Sequence, residues 1–513
     1  MKYDLSRTYD GDTAPKSSWL TICITGAFKD TIFQFISLFL ILYIQYGTNL
    51  PLDPHYGEYF LAITIGLIIV KSCFLIFSFP LACHITNAIK FKKLGTFRPW
   101  IFIGSVTSMV FFLLIFFNTL EGWWFVFTFL LFYFLFEFFF CINDISYWGY
   151  FTTMSTDEKK KAKFGGWSSV FIQIGSYSLV AITPAVTGGQ AGFAMKTIAV
   201  IIASLFIVSS LINMLVLKEN RNMKENYKSH YTDCFKIIKN NKFIIPGNII
   251  LVLFFTATFI LVGSSVNLFY YTYGYGSEPI YGSYLSSGGF QGVSFIFSII
   301  YGVGLTISQF LYPIINKRFT RKQILATSVL GSTVILGLIY VFLSRRESVY
   351  LLFVAEFILA LFIGQINSIA IMINNLVIEY NDYISGERRD REIMAIRAAI
   401  ARSAGAIQTG LLYLFLNISG LSTLNDLIGN YEARGISDPS FNVVQSINNA
   451  ITSVISSNDN DYHVMIFKIF IYIIPMVCFW ILLFIYFKYY TLDEKKFIEI
   501  VGAINKRNKE LKK

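Results

Sequence analysis

Runs of about twenty apolar residues, separated by short polar and mostly basic segments, recur along almost the whole chain. As α-helix, a run of that length rises about 30 Å, the thickness of a bilayer's hydrocarbon core. Hydrocarbon offers no partner to backbone N–H and C=O groups, so each run must satisfy them within itself, as a helix does. Twelve spans are expected, near residues 26–47, 59–86, 99–118, 123–150, 166–188, 194–217, 243–273, 286–315, 322–344, 348–375, 394–418 and 462–489. The expected fold class is therefore an all-α integral membrane protein. The longest basic segment, 218–242, divides the spans six and six. That gives an N-terminal half over 1–217, a central loop over 218–242, a C-terminal half over 243–490 and a basic tail over 491–513. Residues 419–461, rich in Asn, Ser, Asp and Gly, are too long for a simple turn and are expected to be either disordered or a small external cap.

Composition sharpens this picture. The chain is 55% hydrophobic and only 14% charged, which excludes a soluble multidomain protein with charged surfaces. The net charge of +11 raises the question of nucleic acid, and its placement answers it. Lys90, Lys92, Lys93 and Arg98, then Lys159 to Lys163, the 218–242 segment, Lys317 to Lys322, and Arg388, Arg389 and Arg391 all fall in loops on one side. The opposite loops hold little beyond Lys196, Arg345, Arg346 and Arg434. The positive-inside rule then places both termini in the cytoplasm of a plasma-membrane protein, with no nucleic-acid partner. The basic tail is read as a topology and headgroup feature. Residues 1–25 are polar, so no cleavable signal peptide is expected.

The six cysteines are scattered and the four histidines isolated, so neither a disulfide framework nor a metal site is expected. No phosphate-binding glycine loop and no dinucleotide fingerprint is present. No cofactor, no enzyme activity, no ATP-driven transport and no obligate protein partner are expected.

The candidate chemistry lies in the few ionisable residues inside the spans: Lys29, Asp30, Lys71, Glu137, Asp144, Glu356, Arg397, Arg402 and Lys468. A charge at mid-membrane costs roughly 2.5–3.5 kcal/mol on insertion scales, so each should meet a partner or a wet cavity. Glu137, Asp144 and Trp148 are seven and four residues apart and share a helix face. An acid and an indole so placed suit a polar ring-shaped solute, the acid taking hydroxyl hydrogen bonds and the ring face stacking on C–H. The plainer readings are structural ion pairs for the acids and an interfacial belt position for Trp148. Lys29, Lys71 and Lys468 are expected to snorkel to an interface. Arg397 and Arg402 do not share a face, so one is expected near the cytoplasmic edge.

Four patches together resemble the melibiose permease, or glycoside–pentoside–hexuronide, branch of the major facilitator superfamily. They are Lys29-Asp30, NAIKFKKLGTFRPW from Asn87, the run from Asp144 to Lys163, and EYNDYISGERRDREIMAIRAAIARSAGAI from Glu379. The resemblance implies twelve helices in two six-helix halves and a sugar or glycoside carrier working by alternating access. It implies that Asp30 and Asp144 bind sugar hydroxyls, Trp148 stacks on the ring, and Arg402 holds the acids. Gly95, Arg98, Asp157 and Arg388, within the matching loops, become the candidate cytoplasmic gate. The family's two cation-site aspartates in the second helix are replaced by Leu75 and Phe79, a supporting hydroxyl by Cys141, and a sugar-binding arginine by Ser169. Leucine and phenylalanine give a hard ion no oxygen ligand, so the expected coupling ion is a proton, carried by Asp30, Glu137, Asp144 or Glu356, with uncoupled facilitation open. The expected partners are a small solute, most simply a sugar, and the bilayer. The alternatives are a carrier of a lipid-like solute and a membrane sensor that binds without transporting.

Overall fold

A computed structural model describes residues 8–9, 13–73, 77–89, 91, 94–154, 158–187, 190–220, 232–275, 292–342, 349–386, 389–438, 440–455, 462–490 and 494–510. Within them, ten helices are long and apolar enough to cross a membrane. The first half opens with α1 (Lys16–Tyr46), α2 (Tyr56–Cys73), α3 (Phe79–Ala88) and α4 (Arg98–Phe116), followed by α5 (Gly122–Thr152), α6 (Glu158–Thr187) and α7 (Ala191–Val216). The short α8 (Asp233–Asn240) leads to α9 (Ile244–Gly263), α10 (Ser265–Tyr273), α11 (Gly292–Ile315), α12 (Arg321–Phe342), α13 (Val349–Ser385) and α14 (Asp390–Ile418). After α15 (Ser422–Ser437) and α16 (Val443–Val454) come α17 (Tyr462–Lys468), α18 (Ile474–Lys488) and α19 (Glu494–Glu510). The α2–α3 pair and α6 stand beside those ten, and together they make twelve spans in two six-helix halves.

Three spans are broken, each for a local reason. Between α2 and α3 the chain passes a π-helical step at Phe77–Ser78 just before Pro80, which has no N–H to give to the preceding turn. Pro475 in the first turn of α18 has the same effect, and the five residues Ile469–Ile473 before it form a π-helical turn. The seventh span bends at Gly263-Ser264, where Ser265 Oγ donates back to the Leu261 carbonyl.

The halves meet through α6 on α11, α14 on α2, α3 and α5, and α1 on α9. Close approach is set by small residues: a Cβ added at Gly302 of α11 would lie 2.6 Å from Tyr177 Cβ of α6. At the end of the bundle that holds the chain termini, β1 (Thr8–Tyr9) pairs in parallel with β2 (Glu219–Asn220). The tail, expected only as a headgroup feature, forms α19 and docks on α13, with Arg507 Nη1 donating to the Asp382 carbonyl at 2.9 Å and the guanidinium pairing with the Asp382 carboxylate.

At the opposite end the 419–461 segment resolves to the cap reading. Helices α15 and α16 fold onto both halves. Tyr46 of α1 and Tyr271 of α10 both donate to Asn425 Oδ1, the latter at 2.6 Å. Glu432 accepts from the Ala191 backbone N–H of α7 at 3.0 Å and from the Tyr275 hydroxyl at 2.5 Å. Gly429 lies so close to the Gln45 carbonyl and Pro51 that no side chain fits. Beneath the cap a cavity of about one water's size is lined by Tyr46, Thr187, Ala191, Tyr270 and Tyr275.

Candidate functional site

The charged residues of α1, α5 and α14 converge on one buried cluster. Asp144 is held by two cations. Lys29 Nζ donates to its Oδ1 at 2.5 Å, and Arg402 Nη1 stands 3.8 Å from its Oδ2. Lys29 also pairs with Asp30 at 2.9 Å. Arg402 Nε donates to Glu137 Oε2 at 2.6 Å, and the Tyr133 hydroxyl donates to Glu137 Oε1 at 2.8 Å. Tyr133 precedes Glu137 by four residues, so the two stack on one face of α5. Arg402 thereby joins α14 of the second half to α5 of the first.

Aromatic faces surround these charges. Trp148 carries the Lys29 ammonium over its ring at 5.3 Å and the Arg397 guanidinium at 5.1 Å. The Arg402 guanidinium lies 5.9 Å from the Phe33 ring, 5.2 Å from Phe79 and 5.6 Å from Phe140. Phe79, at a position where the family resemblance implies a cation-binding aspartate, supplies a ring face to a guanidinium. Leu75, its companion, lies outside the described residues. Cys141 is buried beside Phe79, and Ser169 is half-buried on α6.

All four expected solute-binding residues therefore sit in one cluster: Asp30, Asp144, Trp148 and Arg402. Asp30 is more open than the residues it adjoins, with 22% of its side chain exposed against 3% for Lys29 and 9% for Asp144. Glu137 belongs to the cluster, whereas Glu356 on α13 does not. It is buried among tyrosines from other helices.

Two expectations are corrected. Lys29, Lys71 and Lys468 do not snorkel; they are 2%, 5% and 4% exposed. Lys29 stays in because two acids reach it, and Lys71 lies against α14 within electrostatic reach of Glu137. Arg397 and Arg402 both face the site, because the five-residue step between them lets one guanidinium reach Trp148 and the other Glu137. Lys29, expected to snorkel, and Tyr133, which the sequence reading did not single out, are cluster members that it did not assign to the site. The available signals were the adjacency of Lys29 to Asp30 and the four-residue spacing of Tyr133 from Glu137.

The candidate gate residues separate. Gly95 and Arg98 share a clasp between the loop before α4 and the start of the central segment. The Glu219 carboxylate accepts from the backbone N–H groups of Thr96, Phe97 and Arg98 at 2.7, 2.9 and 3.1 Å, capping the start of α4. Gly95 has φ +94°, and a Cβ there would strike the same carboxylate. Asp157 and Arg388 lie outside the described residues.

Comparison with known proteins agrees with the helical arrangement. The lactose permease of Lactobacillus helveticus is 24% identical over 438 residues, covering 80% of this chain and 64% of that protein. The raffinose carrier protein of Pediococcus pentosaceus is 23% identical over 348 residues, covering 64% of this chain and 51% of that protein. The chain thus spans between about half and two thirds of these relatives' lengths. Among solved structures, a D-xylose–proton symporter superposes with a TM-score of 0.56 at 11% identity, over 92% of this chain and 97% of that one. A bacterial homologue of the human lysosomal transporter Spinster, inward-facing and unoccupied, gives 0.56 at 9% identity over the same shares. Both likenesses concern the fold. The family described as MFS/sugar transport protein matches residues 59–494. The chain belongs to that family of transporters, the glycoside–pentoside–hexuronide type within the major facilitator superfamily.

Proposed function

We propose that this protein carries a sugar or glycoside across the plasma membrane by alternating access, driven by the proton gradient. The observation that carries the reading is the buried cluster shared by the two halves, in which Lys29, Asp30, Asp144 and Arg402 surround Trp148. A sugar's hydroxyls both donate and accept, so they can replace the Lys29–Asp144 and Arg402–Asp144 contacts one for one while a ring face packs on the indole. Replacing the Arg402–Asp144 contact, which spans the halves, with solute contacts lets the halves tilt without leaving a buried charge unpaired. The relatives' names, lactose permease and raffinose carrier, make galactosides the first solutes to try. Both termini and the Gly95–Arg98–Glu219 clasp lie on the cytoplasmic side in this reading, and Gly95, Arg98, Asp157 and Arg388 form the gate there. The chain divides at 217/218 and 242/243 into the two halves and their linker.

The test is exchange of labelled mono- and disaccharides, lactose and raffinose included, in proteoliposomes, followed by accumulation under a proton gradient, a sodium gradient or none. Saturable exchange with proton-driven accumulation supports the proposal. Sodium-driven accumulation refutes the coupling, and absence of exchange for every sugar refutes the solute class. Asp144→Asn is expected to abolish exchange at normal membrane abundance; loss of abundance as well returns Asp144 to a structural role.

A further inference from the structure

Resting on the carrier reading above, we infer that Glu356, buried near Tyr177, Tyr301 and Tyr472, is the proton-binding site of this transporter, separate from the ionic cluster that grips solute. Each acid of that cluster already has a cation. Asp30 and Asp144 have Lys29, and Glu137 has Arg402. These carboxylates are compensated without a proton. Glu356 is 3% exposed and has no ion pair or hydrogen bond among the described residues.

Among the described residues, its surroundings hold no compensating charge. Its own helix, α13, has its other acids, Glu379 and Asp382, at the far end, some five turns away or more. Helices α9 and α11, packed on α13, contain no Asp, Glu, Lys, Arg or His at all. Arg321 and Lys322 of α12 lie at that far end, as do the charges of α19. On α14, Arg397 and Arg402 are turned toward α5. Lys468 of α17, one turn before Tyr472, has contacts of its own and makes no ion pair with Glu356 among the described residues. What does reach Glu356 is three tyrosines, Tyr177 of α6, Tyr301 of α11 and Tyr472 of the π-helical turn. Among the described residues the Tyr472 hydroxyl is buried without a hydrogen-bond partner, and the Tyr301 hydroxyl lies beside the Tyr177 side chain.

A lone carboxylate in such a setting is far costlier than a neutral acid, so the closed packing accommodates the protonated form. Release of that proton leaves a charge that needs water. Parting of α6 and α11 admits water toward it. Those helices belong to opposite halves and touch at the Tyr177–Tyr301 ring pair, 5.5 Å between centroids, and at Gly302. One proton taken by the carboxylate thus favours closure of this seam, and its loss to water favours opening. Tyr301 and Tyr472 act as positioning residues that hydrogen-bond the acid in one state.

The test begins without solute. Infrared difference spectra of purified protein at neutral pH are expected to show a neutral carboxylic acid band that disappears in Glu356→Gln and persists in Glu137→Gln. A band unchanged in Glu356→Gln overturns the inference whether or not the sugar reading holds. In proteoliposomes, Glu356→Gln is expected to keep sugar counterflow and to lose accumulation above equilibrium under a proton gradient. Accumulation equal to that of the unaltered protein overturns it. If Glu356→Gln loses counterflow as well, Glu356→Asp decides: restored accumulation supports the inference, and none refutes it. Tyr472→Phe is expected to shift the pH midpoint of accumulation while leaving counterflow at neutral pH intact; an unmoved midpoint removes Tyr472 from the site.

Discussion

Replacing Arg402 with Met tests whether the ionic cluster holds the two halves together as a unit. At an effective dielectric of ~20, the 2.6 Å contact to Glu137 corresponds to about 6 kcal/mol of attraction and the 3.8 Å contact to Asp144 to about 4 kcal/mol. Desolvation cancels much of this, so the net cost of the substitution is set by the acid left behind. Asp144 keeps Lys29. Glu137 keeps only the Tyr133 hydroxyl and the more distant Lys71. Breaking a buried pair in this way costs about 3–5 kcal/mol, and Lys71 puts the expectation at the lower end. Glu137→Gln in the same background removes the orphaned charge, so Arg402→Met/Glu137→Gln is expected to be at least about 2 kcal/mol more stable than the two single losses predict when added. Reversible unfolding in mixed detergent and dodecyl sulfate micelles, followed by tryptophan fluorescence, measures all four proteins. Additivity within about 0.5 kcal/mol would mean that Arg402 and Glu137 do not act as a pair, and an ionic tie between the halves at this point would be refuted.

Three further outcomes are expected. Trp148→Phe should retain more sugar exchange than Trp148→Ala, because a ring face under Arg397 and Lys29 survives in the first; equal losses count against stacking. Gly429→Val should undock the cap, since its Cβ would overlap the Gln45 carbonyl oxygen and approach Pro51 Cγ to 2.9 Å. The check is faster proteolysis between α15 and α16, and unchanged protection refutes the packing. Asp426, on the cap beside Tyr56 and Tyr271, keeps over a third of its surface in water, yet partial desolvation pushes its carboxyl up to about 6. An acid whose folded value is raised holds its proton more tightly when folded, so its contribution is favourable below its unfolded value of about 3.9 and is lost as pH rises through about 6. Asp426→Asn should therefore melt higher than the unaltered protein at pH 7.5 and no higher at pH 4; a gain of equal size at both refutes the shift.

The spans were legible because a bilayer imposes a length and a polarity that show in one dimension. All twelve helices or helix pairs begin or end within a few residues of the hydrophobic runs; α1 overruns its run by ten residues at its start, and α13 by ten at its end, where its polar extension meets α19. The face formed by Glu137, Asp144 and Trp148 was legible for the same reason, since helical periodicity is local. The cap was half legible. Asn and Ser announced polarity, while Leu424 and Ile428, then Val443, Ile447 and Ile451, repeat every four residues and supply buried faces.

The sequence by itself determined that the chain crosses a membrane twelve times and which few ionisable residues lie within its apolar runs. The tertiary structure decided how those residues pair. Lys29 meets Asp144 across 115 residues of chain and Arg402 meets Glu137 across 265, separations at which no spacing rule operates. It also decided that Lys29 is a site residue rather than a snorkelling one, and that Glu356 stands apart from the other acids. The physical reason is that a buried charge is governed by what surrounds it in space. Hydropathy identifies a charge that needs compensation, and only the packing of helices from both halves decides whether a cation, a tyrosine or a proton provides it.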